Sequence, residues 1–186
     1  DSFLLGDYSA QHIPWSRFLA DSLANLSLPL WTPYMHSGFP ILAEGQIGAL
    51  YPLNLIMYFL LPHKIAYTYN ILLHFVLTGI FLYIYVRETG MSKAAATVTV
   101  IAFLFGSAYG GCFYSFMSLK VLVWFPLVLF LTEKLFKKEE LLYGILIGIV
   151  VSVQILAGYL QFALYSIIFS TLYFVVHLYF YHLKNR

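Results

Sequence analysis

Formal charge is scarce in this chain: 10 lysines and arginines and 8 aspartates and glutamates make up only 10% of 186 residues. With 61% hydrophobic residues and a mean hydropathy of +0.82, too little polar surface remains to cover a globule in water, which excludes an ordinary soluble domain. A net charge of +2, with its cations scattered, excludes nucleic-acid binding as the main function. Cysteine is nearly missing. The lone Cys112 rules out an internal disulfide and suits a small apolar residue at a helix contact. The apolar runs lack strict alternation, which argues against a membrane barrel. No basic leader region or small-residue cleavage site is visible after Asp1, so a preceding hydrophobic segment is expected to start export.

What is present divides the chain near residue 62. Six of the seven prolines (Pro14, Pro29, Pro33, Pro40, Pro52, Pro62) and Asp7, Asp21 and Glu44 fall before that point, and long Leu, Ile, Val, Phe and Tyr runs follow. Apolar runs near 65–86, 94–112, 119–136, 141–157 and 162–183 each approach the ~20 residues that cross a hydrocarbon core. Lipid offers backbone amides no partners, so helices are the expected spanning form. The expected fold is all-α: a polytopic membrane protein with about five transmembrane helices (63–186) and a cap with an amphipathic helix (1–62).

The turn 87–93, the turn 134–140 and the end with Lys184 and Arg186 are basic. If the five helices alternate, all three lie on one side, which the positive-inside rule makes cytoplasmic. The cap is then extracytoplasmic. Gly90 fits a left-handed helix stop and Ser92 an N-cap. Glu133 and Lys137, four apart at a helix end, read as a solvated pair. In the cap, Pro14 opens a pattern of Trp15, Phe18, Leu19, Leu23 and Leu26 opposite Arg17, Asp21 and Asn25, a helix expected to lie flat on the membrane. The spacings Gly106 to Gly110 and Gly144 to Gly148 suit close helix packing.

On the outer side this arrangement gathers Asp7, Gln11, His12, Arg17, Asp21, His36, Glu44, Gln46, Lys64, Lys120 and Gln161, beside an apolar body able to hold a lipid tail. Asp7 reads either as a helix cap or as a base that activates a hydroxyl. Glu44 and Gln46 pose the same question. Asp7, His12, His36 and Glu44 match no familiar metal pattern, although their oxygen donors would suit Mg²⁺ or Mn²⁺. Arg17, Lys64 and Lys120 are the outer cations able to offset a departing phosphate, and Lys120 also suits snorkelling. His74 and His177 fall inside apolar runs, where an imidazole either serves function or bonds a neighbouring helix.

Several stretches carry a family likeness: Gly6-Asp7-Tyr8-Ser9-Ala10-Gln11, Leu28-Pro29-Leu30-Trp31-Thr32-Pro33-Tyr34 with Gly38-Phe39-Pro40, and Gln46 followed by Tyr51-Pro52-Leu53-Asn54. Leu73-His74 before Gly79, Gly90-Met91-Ser92-Lys93-Ala94-Ala95, Trp124-Phe125-Pro126 and Ala157-Gly158-Tyr159-Leu160-Gln161 follow in order. In these the chain resembles the YfhO family of bacterial membrane proteins, in the GT-C class of integral membrane glycosyltransferases. Tyr159 and Leu160 stand where that family commonly has His and Pro. The resemblance implies inverting transfer of a sugar from a polyprenyl-phosphate carrier to an external cell-envelope polymer such as lipoteichoic acid. It also implies Asp7 as the acidic residue of the transfer, with Gln11, His12, Arg17, Glu44, Gln46, Lys120 and Gln161 as candidate substrate contacts. The rival expectations are a non-catalytic transporter or flippase, and an envelope-assembly protein.

Overall fold

In the computed structural model, residues 8–35, 37–106 and 116–184 are described. They form a π-helical turn over Tyr8–His12 followed by nine helices: α1 (Ile13–Ala24), α2 (Ile41–Glu44), α3 (Pro52–Leu60), α4 (His63–Glu88), α5 (Lys93–Phe105), α6 (Phe116–Leu122), α7 (Phe125–Lys138), α8 (Leu141–Leu156) and α9 (Leu160–Lys184). Among the described residues the only strand-like pairing is an isolated bridge between Thr32 and Phe39.

Among the described residues two helices are long and apolar enough to cross a membrane, α4 and the Leu160–Tyr181 portion of α9. The α5 and α8 helices are apolar but shorter. The expected run 119–136 is instead two helices, α6 and α7. They are separated at Val123 and Trp124, and Pro126 sits in the first turn of α7, where a missing N–H costs nothing.

Helix α4 is inverted relative to a helix in water. Its buried residues are Ala66, Asn70, His74, Thr78, Leu82 and Val86, one row at steps of four. The outward face carries Ile65, Tyr69, Leu72, Val76 and Ile80. A soluble helix turns its polar stripe outward; here Asn70, His74 and Thr78 face protein and aliphatic side chains face out. Helix α9 repeats the pattern, burying Ser166 and Ser170 and exposing Leu164, Ile168, Phe169, Leu172 and Val176. So much contiguous apolar surface is unstable in water and suits a hydrocarbon surrounding.

The N-terminal region packs onto the ends of α4 and α6 through one apolar cluster. Trp15, Leu19 and Ala20 of α1 join Ile41, Ile47, Ala49 and Tyr58 with Ala66 of α4 and Met117 of α6. The Trp15 indole Nε1–H points at Met35 Sδ, 2.8 Å away. The Ser16 hydroxyl lies 2.9 Å from His63 Nε2. The apolar stripe of α1 from Trp15 to Leu23 is therefore covered by protein, while Leu26, expected in the same stripe, lies past the end of the helix and is exposed; Arg17 and Asp21 stay exposed as expected.

The helix ends gather into two sets. At one, Lys134 and Lys137 of α7 reach Glu88 of α4 at 2.7 and 3.0 Å, and the Tyr181 hydroxyl of α9 donates to Glu139. At the other, the loop after α2 meets α6 and the end of α8. The turn between α4 and α5 follows its sequence: Gly90 has φ +92°, and the Ser92 hydroxyl accepts from Ala95 N–H at 3.2 Å. Among the described residues the Gly144 to Gly148 spacing mediates no contact, since a Cβ on either would meet open space. Gly110 and Cys112 lie outside the described residues.

Candidate functional site

The loop between α2 and α3 can sit close to the bundle because three glycines let backbone approach backbone. Gly45 and Gly48 have φ of +85° and +62°, a region that L side chains avoid. A Cβ on Gly48 would lie 3.0 Å from Ala157 O, 3.0 Å from Asn54 Nδ2 and 3.1 Å from Lys120 Nζ. A Cβ on Gly158 would lie 2.2 Å from Gly45 O.

Lys120 lies at the centre of this seam. It is 1% exposed, and its ammonium donates to the Gln46 carbonyl at 3.4 Å. Among the described residues it is the one fully buried lysine or arginine. Snorkelling is thus not its role. Burying an ammonium costs several kcal/mol unless dipoles and opposite charge compensate it. Glu44 supplies some of that compensation. Its carboxylate accepts from Gln46 N–H at 2.9 Å; burial raises its pKa, while the Gln46 hydrogen bonds and the charge of Lys120 pull it down.

Behind the loop a hydrogen-bonded chain runs through the core. Asn54 Nδ2–H₂ donates to the Ile47 and Gly48 carbonyls at 3.2 and 3.0 Å, and Asn70 Nδ2–H₂ donates to Asn54 Oδ1 at 2.8 Å. His74 Nδ1 lies 2.6 Å from the Asn70 carbonyl, so that nitrogen carries a proton. Its Nε2 lies 2.7 Å from the Tyr51 hydroxyl, which also accepts from Trp124 Nε1–H at 3.0 Å. Each of these side chains fixes the next, and the far end fixes the loop that carries Gln46.

Of the sequence-predicted site residues, Glu44, Gln46 and Lys120 come together here. Gln161 does not join them: it is exposed, and its amide donates to Tyr165 at 2.9 Å. Arg17 lines a separate groove of about 490 Å³ with Asp21, Thr32 and Tyr34, so the expected pairing of Arg17 with Lys120 on one phosphate is not built. His12 is buried at the start of α1, and Gln11 precedes it, partly exposed. Asp7 and His36 lie outside the described residues. Among the described residues no three of His, Cys, Asp and Glu gather to hold a metal.

Sequence reasoning missed Tyr51, Asn54, Asn70 and Trp124 as a unit. The available signal was amide side chains in apolar surroundings, which lipid tolerates only with partners. An apolar crevice of about 150 Å³ adjoins the Gly45–Gly158 contact, lined in part by Leu50, Ile155, Leu156 and Leu160.

At the opposite end, Glu133 is more than a solvated partner of Lys137. It is buried, lies 2.9 Å from His177 Nε2 and accepts from the Tyr173 hydroxyl, with Lys137 3.8 Å away.

Compared with family models, curated proteins and solved structures, the chain matches none.

Proposed function

We propose that the protein is an integral membrane glycosyltransferase of the GT-C kind in the bacterial cytoplasmic membrane, with the region before α4 on the extracytoplasmic side and five spans in the bundle. It takes a sugar from a polyprenyl-phosphate carrier and passes it to an envelope polymer such as lipoteichoic acid. The observation that carries the reading is the buried Lys120 ammonium in the seam with Glu44 and Gln46, beside a crevice walled by apolar side chains. A buried cation near an apolar crevice suits a substrate with a phosphate head and a hydrocarbon tail.

In the proposed reaction an acceptor hydroxyl oxygen attacks the anomeric carbon while the carbon–oxygen bond to phosphate breaks, with inversion. The hydroxyl proton passes to Asp7; were Asp7 instead to hold a divalent cation such as Mg²⁺ or Mn²⁺, that ion would supply the positive charge that acidifies the hydroxyl, and the proton would go to water. The bonding pair leaves on the carrier phosphate, and Lys120 offsets the charge that develops there. Gln11, His12, Glu44 and Gln46 position substrate, while Gln161, exposed and bonded to Tyr165, takes no part at Lys120.

The test is transfer in proteoliposomes of the full-length protein, supplied with a radiolabelled polyprenyl-phosphate sugar and an envelope acceptor. Lys120→Met and Asp7→Asn should each lower turnover at least 100-fold, and Lys120→Arg should keep part of it. Undiminished turnover by both of the first two variants refutes the assignment. The Glu133–His177 pair favours a second reading, a proton-coupled transporter or flippase; substrate movement without covalent change would select it.

A further inference from the structure

With Trp15, Leu19 and Ala20 of α1 buried in protein, the apolar surface available to lipid in this region is that of the loop that follows the helix. We propose that residues 26–34 form a rigid apolar tip seated in the interfacial zone of the lipid bilayer. This rests on the chain being a membrane protein, and not on its being a transferase.

The segment exposes Leu26 (85%), Leu28, Leu30, Trp31 and Tyr34 (82%) to the surroundings. No Asp, Glu, Lys or Arg occurs from 26 to 43. Leucines with a tryptophan and a tyrosine, and no formal charge to desolvate, are what the headgroup boundary accepts. The tip is also held in shape. Thr32 and Phe39 exchange backbone hydrogen bonds of 2.9 Å in both directions. The Trp31 ring packs over Gly38 so closely that a Cβ there would lie 2.3 Å from it. Pro29 and Pro33 fix two backbone angles. Exposed apolar side chains on a braced loop do not collapse inward, so little ordering entropy opposes their insertion.

The level of the tip follows from its attachments. Leu23 and Ile41, on either side of the loop, pack into the cluster that contains Ala66, in the first turn of α4. At 1.5 Å per residue the 26 residues of α4 span ~39 Å, longer than a hydrocarbon core of ~30 Å. Its end turns therefore lie at headgroup depth, and the cluster and its loop lie beside one of them. The exposed charges of the region are Arg17 and Asp21 on α1, across a groove from Tyr34, and Lys64 in the first turn of α4; none of them belongs to the tip itself.

The experiment places a nitroxide at Leu30→Cys or Tyr34→Cys in a Cys112→Ser background of the full-length protein in proteoliposomes. Collision rates are read with lipid-soluble oxygen and with a water-soluble nickel chelate. Val76→Cys, on the outward face of α4, is the lipid reference, and Asp21→Cys is the water reference; their normal values also report correct folding. Labels at 30 and 34 should favour oxygen over the chelate at least threefold more than the label at 21 does. Labels that behave like position 21 would place the tip in water and overturn the proposal. Labels shielded from both reagents would show a protein covering it, with the same consequence.

Discussion

The Tyr51 hydroxyl stands 2.7 Å from His74 Nε2 and joins the loop after α2 to the middle of α4. Trp124 Nε1–H can only donate, and it uses that same oxygen as acceptor. Since His74 Nδ1 must donate to the Asn70 carbonyl, Nε2 of the neutral ring is the acceptor and the phenol proton belongs between Tyr51 and His74. Burial pushes the Tyr51 phenol above its ordinary range, against the opposing pull of the Trp124 hydrogen bond, which keeps that proton in place.

Tyr51→Phe should therefore leave both His74 Nε2 and Trp124 Nε1 buried without this partner. A loss of about 1–3 kcal/mol is expected, read as a lowered unfolding midpoint in detergent. Tyr165→Phe, at a partly exposed site on α9, should change the midpoint by under about 0.5 kcal/mol. Equal effects of the two substitutions would show that the network contributes nothing.

Three glycines separate close approach from backbone angle. Gly158→Ala faces φ +101° and an oxygen 2.2 Å away, whereas Gly90→Ala faces φ +92° and open space. The second should cost about 1 kcal/mol for conformation alone, and the first clearly more, together with displacement of the loop that carries Gln46. Gly148→Ala, in a helix interior with nothing within 4 Å, should stabilise α8 by up to about 1 kcal/mol. Thermal unfolding of the three variants in one detergent ranks them.

Glu44 gives stability a pH dependence of defined sign. Its folded pKa is raised, chiefly by burial, so the folded state holds the proton more tightly than the unfolded state does. Its contribution is complete below the ordinary carboxylate value of 4.5 and is lost as pH rises through the folded value. Wild type should lose stability relative to Glu44→Gln across that window, checked by unfolding midpoints from pH 4 upward. A gain instead would mean that the attraction of Lys120 outweighs burial.

Glu133 should matter more than its position at a helix end suggests. Glu133→Ala strips partners from His177 and Tyr173 and should cost about 2 kcal/mol. Glu139→Ala, at an exposed site, should cost under about 1 kcal/mol. A double-mutant cycle between Glu133 and His177 measures their coupling directly.

By itself the sequence determined the helical class and the two longest apolar helices, because hydrocarbon contact and internal backbone pairing both act along the chain. It also marked the Gly90–Ser92 turn and the start of α1 at Pro14, where the causes are local. It singled out Tyr51 with Asn54, His74, and Trp124 in three short motifs without showing that these touch. Only the tertiary structure decided that these four form one network, that Lys120 is buried and not snorkelling, that α1 turns its stripe inward, and that Arg17 and Gln161 stand apart from Lys120. Each depends on which residues, distant in sequence, come to face one another, and periodicity along a single helix carries no record of its neighbours.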